Sequence, residues 1–218
     1  MAWTEPRTWT VGEIVTAALL NTHLRDNLDS LGRDPEHIVH VGTSPFERWY
    51  PAGPPAWTTA GGISSTVMAL NRLDAYPFVS PRGRTIDRIA FEVATAAGAG
   101  GVARCGIYQA TSATNIYPSA LVLDGGEFAT TSTGVKSATV SQPLEPEILY
   151  WFVITAGVAA PTVRTTPMWW PMGMDSTLTN IGTRITVAQT YGALPATFPS
   201  GGTIDSGVQF IVAVRYSA

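Results

Sequence analysis

Charged residues, cysteine and long apolar runs are all scarce in this chain, and each scarcity excludes a class of protein. Asp, Glu, Lys and Arg make up 13% of the 218 residues, about half of the roughly 25% usual in globular chains. The net charge is −3 and no basic stripe is present, which argues against nucleic-acid binding. No run of about 18 apolar residues occurs, so the sequence predicts no membrane-spanning helix.

A single cysteine, Cys105, excludes an internal disulfide. It lies in the apolar stretch VARCGIY, where a buried and unreactive thiol is expected. The first ten residues do not combine a cationic stretch with a following apolar one, so they do not form a secretory signal. We therefore expect the chain to be made and to fold in a reducing cytoplasm.

Patterns that carry catalysis are missing as well, and the sequence predicts a protein that is not an enzyme and has no cofactor. The histidines His23, His37 and His40 have no neighbouring ligand pattern that would indicate a metal site. The glycine-rich run at 97–101 lacks the lysine of a phosphate loop, so it is interpreted as a hairpin turn. A glycosidase needs two carboxylates that meet in space. Here they are scattered singly, as at Asp74, Asp87, Asp124, Asp175 and Asp205.

The sequence from residue 63 onward contains strand-like apolar stretches punctuated by Gly- and Pro-rich turns. Eight stretches fit strands: 65–80, 85–96, 102–111, 120–130, 136–142, 148–157, 183–191 and 208–217. Spacings of about 8–15 residues without intervening helices favour an antiparallel sandwich of the jelly-roll type over 63–218. The LDGG sequence at 123–126 indicates a turn. In the stretch 86–93 the odd-numbered residues are expected to face the core; these are Asp87, Ile89, Phe91 and Val93.

One amphipathic segment precedes this all-β body. Thr16 is the predicted N-cap of a helix that Gly32 ends. One face of that helix carries leucines at spacings of four, four and three; they are Leu20, Leu24, Leu28 and Leu31. A helix of this length needs a partner. The leucine face packs either on the β body or on the same helix of other copies of the chain. We predict a homotrimer joined through these four leucines. The predicted organisation is an anchor at 1–31, an aromatic Pro/Gly-rich connector at 32–62 and the sandwich.

The segment TWTVGEIVTAALLNTHLRDNLDSL, residues 8–31, closely resembles an N-terminal motif of tailed-bacteriophage tail, tail-fibre and minor structural proteins. That motif reads G-E-hydrophobic-V-T-A followed by N-T-H-hydrophobic-R-D-N-L. The matching residues are Gly12, Glu13, Val15, Thr16, Ala17, Asn21, Thr22, His23, Arg25, Asp26, Asn27 and Leu28.

The body shows a looser resemblance to a β-sandwich module of phage fibre and tail proteins. The shared features are GIY at 106–108, a strand at 118–122 and the YW pair at 150–151. Glu147 replaces the glycine usual in the turn before that pair. The two resemblances together imply an oligomeric, trimeric virion component with no catalytic residues to carry over.

These observations predict a fibre or spike subunit located in the virion and attached to other virion proteins through residues 1–31. Its projecting sandwich is predicted to contact the host surface, with a surface glycan as the candidate ligand. One alternative is a purely architectural protein without a ligand, for capsid decoration or tail assembly. Another is a tail-associated glycan hydrolase with paired acids in a cleft.

The sequence PMWWPMGMD at 167–175 is the most unusual part of the body. Its candidate site residues are Met168, Trp169, Trp170 and Met172. Trp and Met are enriched at protein interfaces, which favours a packing or subunit-interface loop. The competing interpretation is an exposed tryptophan platform for a host sugar.

Overall fold

The computed structural model describes residues 8, 12–25, 49–51, 63–80, 83–112, 115–146, 148–166 and 182–217. The chain divides into two units, Met1–Pro45 and Phe46–Ala218. In the first unit the described elements are an α-helix, α1 (Ala17–Leu20), and a π-helical turn, Asn21–Arg25. The described elements of the second unit are β-strands.

Thirteen strands are described in the second unit, which confirms the predicted all-β class. They are β1 (Tyr50–Pro51), β2 (Ser64–Val67), β3 (Arg72–Val79), β4 (Arg84–Thr95), β5 (Val102–Ala110), β6 (Pro118–Ala129), β7 (Gly134–Leu144), β8 (Leu149–Gly157), β9 (Thr162–Thr166), β10 (Arg184–Ala188), β11 (Thr203–Asp205), β12 (Gln209–Phe210) and β13 (Val212–Tyr216). The predicted strand at 65–80 is two strands, β2 and β3, which belong to different sheets.

The strands form two sheets, and every strand pair within them is antiparallel. In the first, called the β4 sheet, β4 lies between β7 and β13, and β1 pairs with β13. The end of β4 also pairs with β9, which in turn pairs with β2 and β12. The second, called the β8 sheet, has the order β11-β10-β3-β8-β5-β6.

The main core lies between the inner faces of the two sheets. Phe91, Val93 and Val212 of the β4 sheet belong to the same buried cluster as Phe78 and Phe152 of the β8 sheet. The rings of Phe78 and Phe152 stack with their centroids 4.4 Å apart. Burial of these large apolar side chains supplies the main driving force for joining the two sheets. The predicted sandwich architecture is therefore confirmed.

The alternation predicted for 86–93 is correct for Ile89, Phe91 and Val93, which are buried. It is wrong for Asp87, which is half-buried, while its neighbour Ile86 is fully buried in the core. The pairing of β4 with β7 shifts register between Ile86 and Arg88. This bulge reverses which side chain faces inward, so that the Asp87 carboxylate is free to bind a guanidinium.

Two predicted turns have a different form in the structure. The LDGG sequence lies inside β6, so a turn there is wrong; the strand continues through irregular pairing with β5. Gly126 takes a positive φ of 86° there, and its N–H donates to Asp124 Oδ1 at 2.9 Å. The run at 97–101 is a turn, but it joins β4 of one sheet to β5 of the other and is therefore not a hairpin.

The β8 sheet is covered on its outer face too. Residues 189–202, called the cover segment, contribute Leu194 and Phe198 to a second apolar cluster. The same cluster contains Tyr108, Trp151 and Val153 from the outer face of the sheet. As a result β8 is buried along both faces from Tyr150 to its end.

Candidate functional site

The N-terminal segment begins its helix where the sequence predicts. Thr16 has an extended backbone, and its Oγ1 accepts a hydrogen bond from the N–H of Leu19 at 3.3 Å. The N–H of Leu20 donates to the Thr16 carbonyl oxygen at 3.1 Å. Thr16 therefore is the N-cap, as predicted, and it satisfies backbone donors that the first turn leaves open.

The predicted oligomerisation residues are only partly within the described residues. Leu20 and Leu24 are 44% and 57% exposed, whereas Leu28 and Leu31 lie outside the described residues. After Leu20 the α-helix gives way to the π-helical turn Asn21–Arg25, which the sequence did not predict. No residue of α1 is buried. The described part of the segment therefore presents apolar side chains to solvent.

The second predicted site also lies outside the described residues. Met168, Trp169, Trp170 and Met172 belong to the range 167–181. The strands on either side of this range lie in different sheets, since β9 belongs to the β4 sheet and β10 to the β8 sheet. The choice between interface loop and sugar platform stays a prediction.

A buried ion-pair network is the main polar feature of the β8 sheet. Asp74 of β3 has no exposed surface, and its Oδ1 lies 3.3 Å from Nη1 of Arg184 on β10. The other terminal nitrogen of Arg184 donates to Asp205 Oδ2 of β11 at 2.5 Å. Arg72 provides Asp74 with a second cation, because its Nε lies 3.1 Å from Oδ1. Arg184 Nη1 further donates to the carbonyl oxygen of Val208 at 3.2 Å.

The two carboxylates of this network respond to their surroundings in opposite ways. Burial raises the pKa of Asp74, although the positive charges of Arg184 and Arg72 offset part of the effect. Burial also acts on Asp205, but the hydrogen bond and charge of Arg184 outweigh it and lower the pKa. The Arg184 guanidinium lies between the two carboxylates and contacts both. Because Asp205 belongs to β11, this bridge attaches β11 to the sheet.

The cover segment is held by a second ion pair. Arg104 Nη1 donates to both oxygens of Asp124 at 2.8 Å. The same carboxylate accepts the N–H of Leu194 in the cover segment at 3.2 Å. Next to it, the hydroxyl of Tyr191 donates to Glu127 at 3.1 Å. Charged side chains of β5 and β6 thus position the cover segment on the sheet.

Aromatic side chains fix the rest of the cover segment through their polar atoms. The hydroxyls of Tyr108 and Tyr117 donate to the carbonyl oxygens of Pro195 and Pro199, each at 2.7 Å. In addition, the backbone N–H of Phe198 donates to the carbonyl oxygen of Ser119 at 2.8 Å. These bonds satisfy groups that burial would otherwise leave without partners.

Sequence reasoning did not predict the ion pair between Arg184 and Asp74, because it treated the carboxylates as isolated residues. The available signal was a charged residue within an otherwise apolar strand, as in RLDAYPFV and RITVA. Such a residue is rarely buried without a partner. The identity of the partner is not readable from the sequence, because the two residues are 110 positions apart.

The histidines considered as metal ligands lie only partly within the described residues. His23 lies half-exposed in the π-helical turn, while His37 and His40 fall outside the described residues. Among the residues described, no group of three or more His, Cys, Asp or Glu side chains is placed to hold a metal ion. Within the same ranges, no helix has the length and apolar character needed to cross a membrane.

Comparison with known proteins adds no relative: no protein-family model and no curated protein matches the chain.

Proposed function

We propose that this protein is a structural component of a tailed-phage particle, a fibre or spike subunit anchored by its N-terminal segment. The observation that carries the proposal is the agreement of residues 12–28 with the phage motif. The matched Thr16 acts as the helix cap, and the described part of the segment has exposed apolar side chains that suit attachment to another protein. The protein would be made in the host cytoplasm and carried in the virion.

We also propose that the sandwich is a jelly roll. In that fold eight strands pair first with eighth, second with seventh, third with sixth and fourth with fifth. The pairs β1–β13, β3–β8, β4–β7 and β5–β6 follow this order. The strand β2 and the strands β9 to β12 would then be additions to the basic fold.

A homotrimer is the proposed assembly. The exposed Leu20 and Leu24 lose unfavourable contact with water if copies of the segment pack together, and a fully buried leucine contributes roughly 1.5–3 kcal/mol. The two leucines are four residues apart, the spacing of neighbouring positions on a helical face.

The decisive experiment is incorporation into particles. Residues 1–40 fused to an unrelated soluble protein should appear in purified virions, because the anchor lies in the first 31 residues. A chain lacking residues 1–31 should be absent from them. Incorporation of the truncated chain together with exclusion of the fusion would place the anchor in the body and contradict the proposal.

An architectural subunit without a ligand is the second candidate. The low charge content of 13% favours it, since charged residues are depleted where chains cover one another. The fibre hypothesis predicts saturable binding of the full chain to host cells, and the architectural one predicts binding to particle proteins alone. A glycan hydrolase instead predicts release of reducing sugar from host envelopes.

The pair Trp169 and Trp170 separates the two interpretations of the aromatic loop. Replacing both by alanine should lower the melting temperature or disturb assembly if the loop is an interface, because Trp→Ala in packed sites costs about 3–5 kcal/mol. If the loop is a sugar platform, the double variant should melt normally and lose binding to host cells. We expect the first result.

A further inference from the structure

The strand β7 is a long edge strand of the β4 sheet. It pairs with β4 along one side, and no described strand pairs with its other side. In an antiparallel pair, successive residues direct their N–H and C=O groups alternately to the two sides of the strand. Every second residue of β7 therefore presents an N–H and a C=O at the open side, where another strand can pair.

The other edge strands of the described sandwich are less suited to pairing. The strands β1, β2, β11 and β12 contain only two to four residues each. The long strand β6 is covered at its start, because residues 119–121 hydrogen-bond to residues 196–198 of the cover segment. The rest of β6 pairs irregularly with β5, with three shifts of register. In β7 the pairing is regular from Gly134 to Thr139, so these residues form an uninterrupted open edge.

The side chains on the exposed face of this edge are uncharged. Val135, Ser137 and Thr139 lie on that face, and Val135 is 60% exposed. The only charged residue of β7 is Lys136, which lies on the half-buried face and donates from Nζ to Ser132 Oγ at 2.8 Å. Edge strands of native proteins commonly carry charges that prevent pairing with another chain. The exposed face of β7 lacks this protection.

A second copy of β7 fits this edge in one register. Across a two-fold axis, residues of the two copies pair symmetrically about one central residue. A centre at Lys136 would place two lysines opposite each other, which is unfavourable. A centre at Ala138 would involve the irregular pairing that follows Thr139. With Ser137 at the centre, Lys136 faces Ala138 of the second copy, Val135 faces Thr139, and every pair lies within the regular part of the strand.

Charged residues of β4 are complementary in the same register. Arg88 pairs with Thr139, and Glu92 pairs with Val135. Because Thr139 faces Val135 of the second copy, Arg88 lies in one row with Glu92 of that copy, and the symmetric row repeats the arrangement. Arg88 Nη1 already donates to Thr139 Oγ1 at 2.8 Å, which places its charge over β7, two strand spacings or about 10 Å from β4 of the second copy. Opposite charges still attract at that distance, about one Debye length at 0.1 M salt. Glu92 also binds Arg164 and keeps 41% of its side chain exposed.

We propose that β7 pairs antiparallel with β7 of a second copy of the chain, about a two-fold axis at Ser137, so that two β4 sheets form one continuous sheet. The contact follows from the geometry of the β body and requires no phage particle. A two-fold contact cannot close a ring of three chains, so in an assembly of the proposed trimers it joins chains of different trimers. Because it involves only five residues of each chain, it belongs with the small and weak interfaces.

The test measures the molar mass of the full chain by sedimentation, at protein concentrations up to about 0.5 mM, which populate a dimer whose Kd is about 0.1 mM. All samples carry Leu24→Asp, which removes the proposed N-terminal contact. Ser137→Lys and Ser137→Glu each place two like charges opposite each other at the axis. Ser141→Lys is the matched control, because it adds a charge to the same exposed face of β7 but lies outside the paired residues. Thermal melts measure the folding of each variant.

The chain with Ser137 intact should sediment as a dimer, and Ser137→Lys or Ser137→Glu should each halve its molar mass. An equimolar mixture of these two variants should recover the dimer, because opposite charges then meet at the axis, and Ser141→Lys should stay dimeric. Hydrogen exchange, which needs no variant, should slow for amides within 135–139 when the chain is concentrated. A chain that is monomeric with Ser137 intact would overturn the inference, as would a dimer that persists in both Ser137 variants, a mixture that stays monomeric, or amide exchange that does not depend on concentration.

Discussion

Replacing Arg184 by methionine should destabilise the fold by about 3 kcal/mol. Removing one partner of a buried ion pair typically costs about 3–5 kcal/mol, because the other charge stays buried without compensation. Asp74 is sealed from solvent and the Arg184 side chain is only 7% exposed, so the pair belongs to this class. Arg72 remains within 3.1 Å of Asp74, which places the expected loss at the lower end of the range.

Asp205→Asn provides the matched comparison on the other side of the same guanidinium. The Asp205 side chain is 37% exposed, so solvent screens its interaction with Arg184. Exposed ion pairs are worth about 1 kcal/mol or less, and the variant should lose no more than that. The large difference between the two substitutions tests whether burial, rather than the number of contacts, decides the effect.

Urea denaturation gives the free energies of unfolding, and an unchanged m-value shows that the variants unfold from comparable states. The double variant Asp74→Leu with Arg184→Met should recover most of the loss, because an apolar pair of similar volume replaces the ions. A single Arg184→Met variant within about 1 kcal/mol of wild type would refute the reasoning, since Asp74 would then tolerate burial without this cation.

The pH dependence gives an independent check. The folded pKa of Asp205 is lowered, so its contribution to stability is present above the unfolded pKa of about 4 and is lost as pH falls through the folded pKa. The folded pKa of Asp74 is raised, so its contribution is complete below about 4 and is lost as pH rises through the folded value. The difference in free energy of unfolding between wild type and Asp205→Asn should therefore change with pH in the opposite direction to the difference between wild type and Asp74→Asn.

Three further predictions concern the rest of the chain. Leu24→Asp should dissociate the proposed trimer and leave the β body folded; sedimentation of the wild-type chain as a stable monomer would contradict the proposed assembly. Burial raises the pKa of the Cys105 thiol, so native protein should react with a thiol reagent far more slowly than unfolded protein. Gly106→Ala would place a methyl group against the carbonyl oxygen of Leu123 and the side chain of Leu194 and should cost about 1–3 kcal/mol. Gly192→Ala, with open space around it, should melt like wild type.

The sequence was sufficient to predict features that depend on neighbouring residues. Thr16 caps its helix because the hydroxyl reaches a backbone N–H only three positions away. Cys105 is buried, as predicted, because apolar neighbours in one strand share its surroundings. The succession of strands and turns likewise follows from local composition.

Features that depend on distant pairing were not predicted. The bulge that turns Asp87 outward arises from the register of β4 against β7, some 50 residues later. Asp87 then binds Arg215, whose Nη2 lies 2.6 Å from its Oδ2. The strand alternation rule assumes uniform pairing, so a single shifted register reverses its result at Ile86 and Asp87.

The cover segment was not predicted, although one strand carried the signal for it. In β8 the sequence LYWFVITAG has no alternation of apolar and polar residues. An antiparallel strand with one solvated face alternates, whereas a continuous apolar run requires cover on both faces. Trp151 and Val153 therefore need a layer outside the sandwich, and the chain supplies it at Leu194 and Phe198. The unbroken apolar sequence of β8 therefore indicates a third layer. The sequence of that layer itself gives no such indication, because residues 189–202 are rich in glycine, proline and alanine.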